Sequence, residues 1–435
     1  MSKISRLYGR FKINAGNLKR KNDSLGNFAN GRIYKLISLV LVANLLILFI
    51  LSNYTPNVEA QGFTVKINWK VHSNPTMEKD YAFAVCEAKD YIYIVGTQKD
   101  VKRILYWDGR IEMRYKENGS LIKAWTSKDF SFLHECIIVK DKLYVIGDDF
   151  KILAFNLSLN LLTYKHGNAS GRATSIAFFD DHLYVAGIKE VGKFNYVWRV
   201  EKWSVEDLTL VKEYDISSAL TSVFLFIVVG VNPITKQVWV AGGDSEGFRV
   251  EILDLELNPL KTIRNKSLGN AYSIDFDRDG NAYIGGYRFI AKYDKDGNEV
   301  VSYNIPFNAS KLIHSNGLIY VGAEEIDFSD KHILIIYDKN LAQVRIAIVS
   351  SYLFSKAGFL SGKMTFDGKA LYIAGIHETD GEIEWVIYSI LIKPKDQIEI
   401  LLDWLVIIIG IITLVAILIL IFFLFKRQQD IRMLK

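Results

Sequence analysis

SIDFDRDGNAYIGGY (273–287) is the stretch whose reading decides the fold. An apolar run ending at Phe276 meets the polar turn Asp277-Arg278-Asp279-Gly280-Asn281, and a second apolar run, Ala282 to Gly286, follows. Aspartate, asparagine and glycine supply the positive-φ positions of a tight hairpin, so the segment reads as two antiparallel strands. Its second half recurs along the chain as YIYIVG (91–96), KLYVIG (142–147), HLYVAG (182–187), QVWVAG (237–242), NAYIGG (281–286), LIYVGA (318–323) and ALYIAG (370–375). Each copy holds an aromatic, two residues and a glycine, except that the sixth has Ala323 in the glycine position. From Gly96 to Gly375 the mean spacing is about 46 residues.

A four-stranded propeller blade takes roughly 40–50 residues. The flanks fit such a unit. Before the motif lies another strand and turn, as in FAVCEAKD (83–90), SIAFFDD (175–181) and KMTFDGK (363–369). After it come a third strand and a polar turn, as in VEILDLELNPL (250–260), FIAKYDKDGNEV (289–300) and LIIYDKNLAQV (334–344), and then a fourth strand. VFLFIVVGV (223–231) is too short to span lipid and predicts an innermost, fully buried strand. Residues 273–287 resemble the repeat of seven-bladed β-propeller families with an Asp-x-x-Gly-Asn-x-Tyr-x-x-Gly signature, the other copies being degenerate versions. The resemblance spans about residues 63–392 and implies an all-β, seven-bladed propeller. It implies little about function, since propellers do many things.

The last copy supplies only three strands, in GKMTF (362–366), ALYIAGI (370–376) and EWVIYSILI (384–392). GFTVKINWKV (62–71) is available as the fourth, and antiparallel pairing would set residue 63 beside residue 392. Closing the ring this way removes the exposed sheet edges.

Residues 404–425 (WLVIIIGIITLVAILILIFFLF) carry no charge and precede Lys426 and Arg427. At roughly 1.5 Å per residue they cover a hydrocarbon core of about 30 Å, which predicts a transmembrane helix. A shorter apolar run, 36–51, extends to 34–54 with tyrosines at both ends, and reads either as an uncleaved anchor or as a signal peptide cut near Val58-Glu59-Ala60. Residues 1–35 hold nine basic groups and one acid, residues 426–435 four and one, and residues 36–425 hold 40 basic and 46 acidic groups. The basic balance therefore belongs to the tails and gives no argument for nucleic acid. The positive-inside rule places tails 1–33 and 426–435 in the cytoplasm and residues 55–398 outside, as an ectodomain flanked by two helices. Asn118, Asn156, Asn168, Asn265 and Asn308 open Asn-x-Ser glycosylation sequons there, with Asn53 opening Asn-Tyr-Thr beside the membrane.

No catalytic signature stands out: nucleophile elbow, P-loop, dinucleotide fingerprint, sialidase Asp-box and quinoprotein docking motif are all absent. The loops 323–332 and 376–384 are acidic, and Glu324, Glu325, Asp327, Asp330, Glu378 and Asp380 read either as a solvated rim or as ligands for calcium or a basic partner. Cys86 and Cys136 stand ten and eleven residues before the glycines of neighbouring copies. An external domain permits a bridge, whereas the one-residue offset argues for two separate thiols, because side chains alternate faces. No resident metal is expected, the seven histidines showing no short ligand spacing. Composition low in Gln and His and rich in Ile, Lys and Glu suggests a thermophilic, archaeal source. The functional expectation is a membrane-anchored binding or scaffolding module for a cell-envelope, carbohydrate or protein partner, alone or as a membrane-complex subunit. The alternative is a membrane-bound propeller enzyme: a hydrolase, a lyase or a quinoprotein oxidoreductase.

Overall fold

β-Branched and aromatic residues at period two turn the apolar runs into strands, and the short polar turns between them force antiparallel pairing. The structure, a computed structural model, describes residues 63–394 apart from 101, 103–105, 194, 221–225, 326–330, 352–355, 359–362 and 380, together with 405, 409–411, 413–414 and 416–424. The chain divides into two compact units, residues 1–59 and 60–435, and every described residue belongs to the second. The expected tail 1–33, the span 34–54, Asn53 and the tail 426–435 lie outside the described residues.

The first strand is Phe63–Ser73 (β1). Blade 1 is Tyr81–Ala88, Tyr91–Lys99, Trp107–Tyr115 and Leu121–Ser127 (β2–β5). Blade 2 is Leu133–Val139, Lys142–Gly147, Lys151–Asn156 and Leu161–His166 (β6–β9). Blade 3 is Gly171–Phe179, His182–Gly192, Asn195–Ser204 and Leu210–Leu220 (β10–β13). Blade 4 is Val228–Asn232, Gln237–Asp244, Gly247–Asp254 and Pro259–Asn265 (β14–β17). Blade 5 is Ala271–Phe276, Ala282–Gly286, Phe289–Tyr293 and Glu299–Asn304 (β18–β21). Blade 6 is Phe307–Ser315, Leu318–Glu325, Lys331–Asp338 and Gln343–Ser351 (β22–β25). In these six sheets the strands pair in chain order. The second half of the run 223–231 forms the inner strand β14, while residues 221–225 lie outside the described residues.

Blade 7 closes the ring. Two short pieces, Lys356–Gly358 (β26) and Thr365–Phe366 (β27), share the inner edge of Ala370–Thr379 (β28), which pairs with Glu382–Pro394 (β29). The outer strand beside β29 is β1, paired from Phe63↔Pro394 to Ser73↔Trp385 with a one-residue bulge between Ile67 and Trp69. Ile392 therefore faces Val65, two residues from the expected partner, an even shift that keeps facing as far as Ile67; the bulge there makes the offset three from Trp69 onward and reverses it. The seven-bladed β-propeller expected from the repeats is the fold observed.

Seven buried apolar clusters follow the seven blade interfaces. Ala84, Tyr93 and Ile111 of blade 1 pack on Leu133, Leu143 and Leu153 of blade 2, and the series ends where Trp385 and Ile387 of blade 7 meet Ile92 and Ile94 of blade 1. Each sheet thus presents one face to the preceding blade and the other to the next. This resolves the two cysteines. Cys86 and Cys136 are bonded across the first interface, with Cα atoms 6.1 Å apart. Residues that meet across an interface come from unlike faces of their own sheets, so an odd offset between copies is what a bridge requires. The offset argued for separation only under the assumption that like faces meet.

The motif glycine has a local cause. In blades 1, 2, 3, 5 and 6 the inner strand slips register by one residue, at Phe83, His134, Thr174, Tyr272 and Ser310, just after the residue opposite the motif's last position. These β-bulges drive a carbonyl at the second strand. A Cβ on Gly187 would lie 2.0 Å from the Arg172 carbonyl oxygen, and carbonyls come within 2.1–2.3 Å of the same point at Gly96, Gly147 and Gly286. The motif aromatic ties blades together. Tyr93 Oη donates to Leu157 O at 2.6 Å, Tyr144 Oη to Val205 O at 3.2 Å and Tyr184 Oη to Leu255 O at 3.3 Å, each carbonyl lying in the third turn of the next blade. Those three turns and the equivalent turn of blade 6 place Leu159, Leu208, Leu257 and Leu341 at positive φ, with all four side chains buried. Burial of a large apolar side chain offsets the modest cost of the left-handed backbone.

Within 404–425 the described residues are helical, and Thr413 Oγ1 donates to Ile409 O at 2.7 Å. Among the described residues no helix is long and apolar enough to cross a membrane.

Candidate functional site: the axial cavity

The bulges that demand glycine also decide what reaches the axis. A skipped residue reverses the alternation of the inner strand, so polar side chains from otherwise apolar strands turn inward. A cavity of about 410 Å³ runs beside the inner strands, and its lining includes Glu135, Ser175, Tyr272, Asp275 and Lys363. Phe178, Phe179 and Phe276 add aromatic surface.

The charged groups form a buried constellation. Glu135 is pushed up to about 7, chiefly by burial, against the pull of Lys363 and a hydrogen bond with Ser175. Burial likewise pushes Glu324 up to about 7, against a hydrogen bond with Ser310 and the nearby Lys311 ammonium. Lys311 is fully buried and pushed down to about 7, burial outweighing Glu135 and Glu324. Its Nζ donates to the Phe83 carbonyl, so this side chain joins blade 6 to blade 1 past the short inner strands of blade 7. Burial raises the Asp275 carboxyl although it accepts the His314 amide at 2.7 Å. His134 is buried, its Nε2 3.2 Å from Asp148 Oδ1, and burial lowers its pKa.

These shifts give a pH signature. An unfolded glutamate titrates near 4.5, so as pH rises from about 4.5 to about 7 the unfolded chain loses protons that folded Glu135 and Glu324 retain, and stability falls across that window. Lys311 acts in the opposite sense and in a different range: between about 7 and 10.5 the unfolded chain holds a proton that the folded chain lacks, so stability rises. Glu135→Gln mimics the protonated acid. Relative to wild type, its melting temperature is expected to rise by several degrees between pH 5 and pH 7, an interval that covers most of the window in which the folded and unfolded carboxyls differ. Thermal unfolding at the two pH values checks this; a constant difference would contradict it.

The expected acidic rim divides. Glu324 lies half-buried beside Ser310 and Lys311, whereas Glu378 is half-buried on β28 and acts electrostatically on Tyr81 of blade 1. Glu325 ends β23, and Asp327, Asp330 and Asp380 lie outside the described residues. In the turn 277–281 Asp277 Oδ1 accepts the amides of Asp279 and Asn281 at 3.0 and 2.8 Å, and Oδ2 accepts Asn281 Nδ2 at 2.8 Å. Hairpin chemistry thus occupies both oxygens. Of the sequons, Asn118 and Asn168 are exposed in turns. Asn156 Oδ1 caps its own turn, Asn265 Nδ2 bonds Glu299 at 3.2 Å, and Asn308 sits in β22 with its Oδ1 buried.

A second cluster escaped sequence reading. His72 on β1 and His377 on β28 flank Glu384 on β29, with both Nδ1 atoms beside the same Oε1, at 2.7 and 2.8 Å. Burial works against the Glu384 charge, but the two imidazoles hold its carboxyl below the usual range. The closure register was the signal that could have found it: once β1 is laid on β29, His72 lies diagonal to Glu384, whose direct partner is His377.

The sequence matches no known protein family and no curated protein. Solved structures match it in shape. The WD40 domain of Neurospora crassa Pan2 is 11% identical over 76% of this chain and 96% of its own, with a TM-score of 0.53. The fold is shared. A chain of the mitotic checkpoint complex is 14% identical over the same shares, 76% and 96%, also with a TM-score of 0.53. A catalytically inactive virginiamycin B lyase from Staphylococcus aureus, solved with quinupristin, is 10% identical over 75% of this chain and 99% of its own, with a TM-score of 0.53. At such identities the likeness concerns the fold alone.

Proposed function

We propose that the chain is an extracytoplasmic binding module whose axial cavity takes a polar ligand, either an envelope carbohydrate or a group on a protein partner. One observation carries this reading: carboxylates and a lysine are kept at the wall of a cavity of about 410 Å³ on the axis. Burying ionisable groups costs folding free energy that pairing only partly offsets, and their presence at the cavity wall supports a use there. Carboxylates and hydroxyls beside aromatic rings are also the chemistry that binds sugar hydroxyls and the apolar faces of pyranose rings.

Segments 34–54 and 404–425 would anchor the module, with both basic tails in the cytoplasm. Two observations support the second anchor: its described residues are helical, and Ile409, Ile411, Leu414, Leu418, Phe422 and Phe423 are exposed there without a polar face. The ring also begins at Phe63 and ends at its partner Pro394, so the chain reaches and leaves the propeller at one place. Exposed Asn118 and Asn168 would be the first glycan acceptors.

The test is purification of the full chain from native membranes in mild detergent, with glycan-array binding and mass spectrometry of retained molecules. Wild type should retain a carbohydrate or protein that Glu135→Gln releases at least tenfold faster. Equal retention by the variant removes the cavity from the reading, and chemical conversion of the retained molecule moves the assignment to a propeller enzyme.

A further inference from the structure

We infer that His72, His377 and Glu384 form a binding site for a divalent transition-metal ion that locks the closing blade. The three side chains come from three adjacent strands, β1, β29 and β28, and project from one face of the sheet. His72 lies opposite Val386, two residues from Glu384 and therefore on its side, and His377 lies directly opposite Glu384. Among the described residues this is the one group of three potential ligands whose donor atoms all lie within 4.8 Å of one another.

Two imidazole nitrogens and a carboxylate oxygen are the donor set of zinc and its neighbours, and they are a poor match for calcium, which takes oxygen ligands. Bonds of roughly 2.0–2.1 Å to a tetrahedral ion put donor atoms about 3.3 Å apart. The observed 2.7 and 2.8 Å separations require each imidazole to move outward by about half an ångström. His72 is 38% exposed at the strand end and has room to do so. Without an ion, each Nδ1 stands within hydrogen-bond distance of Oε1; an ion between the three atoms would replace those two contacts, each neutral imidazole then carrying its single ring proton on Nε2. Three protein donors leave a fourth position for water or a ligand.

The placement gives the site a purpose that a surface triad lacks. β1 opens the described propeller and β28 and β29 end it, so one ion would join segments some three hundred residues apart, across a seam where the paired strands β1 and β29 are not consecutive in the chain. An ion bound by the closed ring and not by the open chain stabilises the ring by mass action.

The experiment uses the full chain in detergent, stripped with chelator and then titrated with zinc(II) by calorimetry and with cobalt(II) by visible absorption. One equivalent of zinc is expected, with the d–d bands of a four-coordinate cobalt site and a melting temperature that climbs several degrees as zinc is added. His72→Ala and His72→Gln alter an exposed side chain and should fold as wild type; each should weaken zinc binding at least tenfold, as should His377→Ala. His166→Ala, on the exposed outer strand β9, should leave it unchanged. Absence of saturable zinc or cobalt binding, or equal affinity in the His72 variants, overturns the inference and leaves a hydrogen-bonded triad.

Discussion

Gly187→Ala is expected to destabilise the propeller by about 3 kcal/mol, the upper part of the range for forcing extra atoms into a packed core. The added methyl would sit 2.0 Å from the Arg172 carbonyl oxygen and 2.8 Å from the Ala173 Cα, both backbone atoms that no rotamer change can move. Relief requires the inner strand β10 to retreat. That strand is tied to blade 4 through Thr174, whose hydroxyl donates to Ile227 O at 2.6 Å and accepts the Ile227 amide at 3.1 Å. Blade 6 carries Ala323 opposite Ala309, so the topology itself accepts a methyl; the cost at Gly187 comes from neighbours already fixed around its absence. Gly192→Ala on the same strand is the control, since the nearest atom to its added Cβ is 3.9 Å away. Its stability should stay within about 0.5 kcal/mol of wild type. Denaturant unfolding of both variants measures the difference.

Loss of the Cys86–Cys136 bridge is expected to cost about 3–4 kcal/mol, a loop of this length being close to the upper end of what a cross-link removes from the unfolded chain. The bridge joins positions 50 residues apart, and it also fastens the inner strands of blades 1 and 2. Both sulfurs lie in a buried apolar interface, so Cys86→Ala/Cys136→Ala leaves no unpaired polar group. Denatured, unreduced protein should show no reactive thiol, and two should appear after reduction. Two thiols before reduction would remove the bridge from the account.

The repeats made the ring legible because a four-stranded unit must bury both faces against its neighbours, and that need is written into every copy. Closure was legible too, since a three-stranded last copy requires a partner and only residues 62–71 could provide it. The cavity was hidden for a specific reason. Glu135 and Ser175 each line it and each follow a bulge, and a bulge breaks the period-two alternation on which facing is judged. In the sequence they look like stray polar residues in apolar strands. The disulfide stayed open because neighbouring blades were compared face to like face. The leucine-ended third turns were missed because leucine is an unexpected residue at positive φ, although packing holds Leu159, Leu208, Leu257 and Leu341 there. His72, His377 and Glu384 are far apart in sequence, and only the β1–β29 register assembles them.

The cavity, the proposed clamp and the anchor geometry all depend on β1 completing the final sheet. Thr64 and Lys393 are direct cross-strand partners at that seam, and Lys393 is exposed. Directly opposed Cβ atoms stand about 4.5–5.5 Å apart, close enough for a disulfide with little backbone adjustment. Mild oxidation of the Thr64→Cys/Lys393→Cys variant should therefore give near-complete internal cross-linking and a more stable monomer. Thr64→Cys/Lys261→Cys, which places the second thiol on blade 4, should not cross-link. Failure of the first pair to bridge, or equal bridging by the second, would contradict the closed ring.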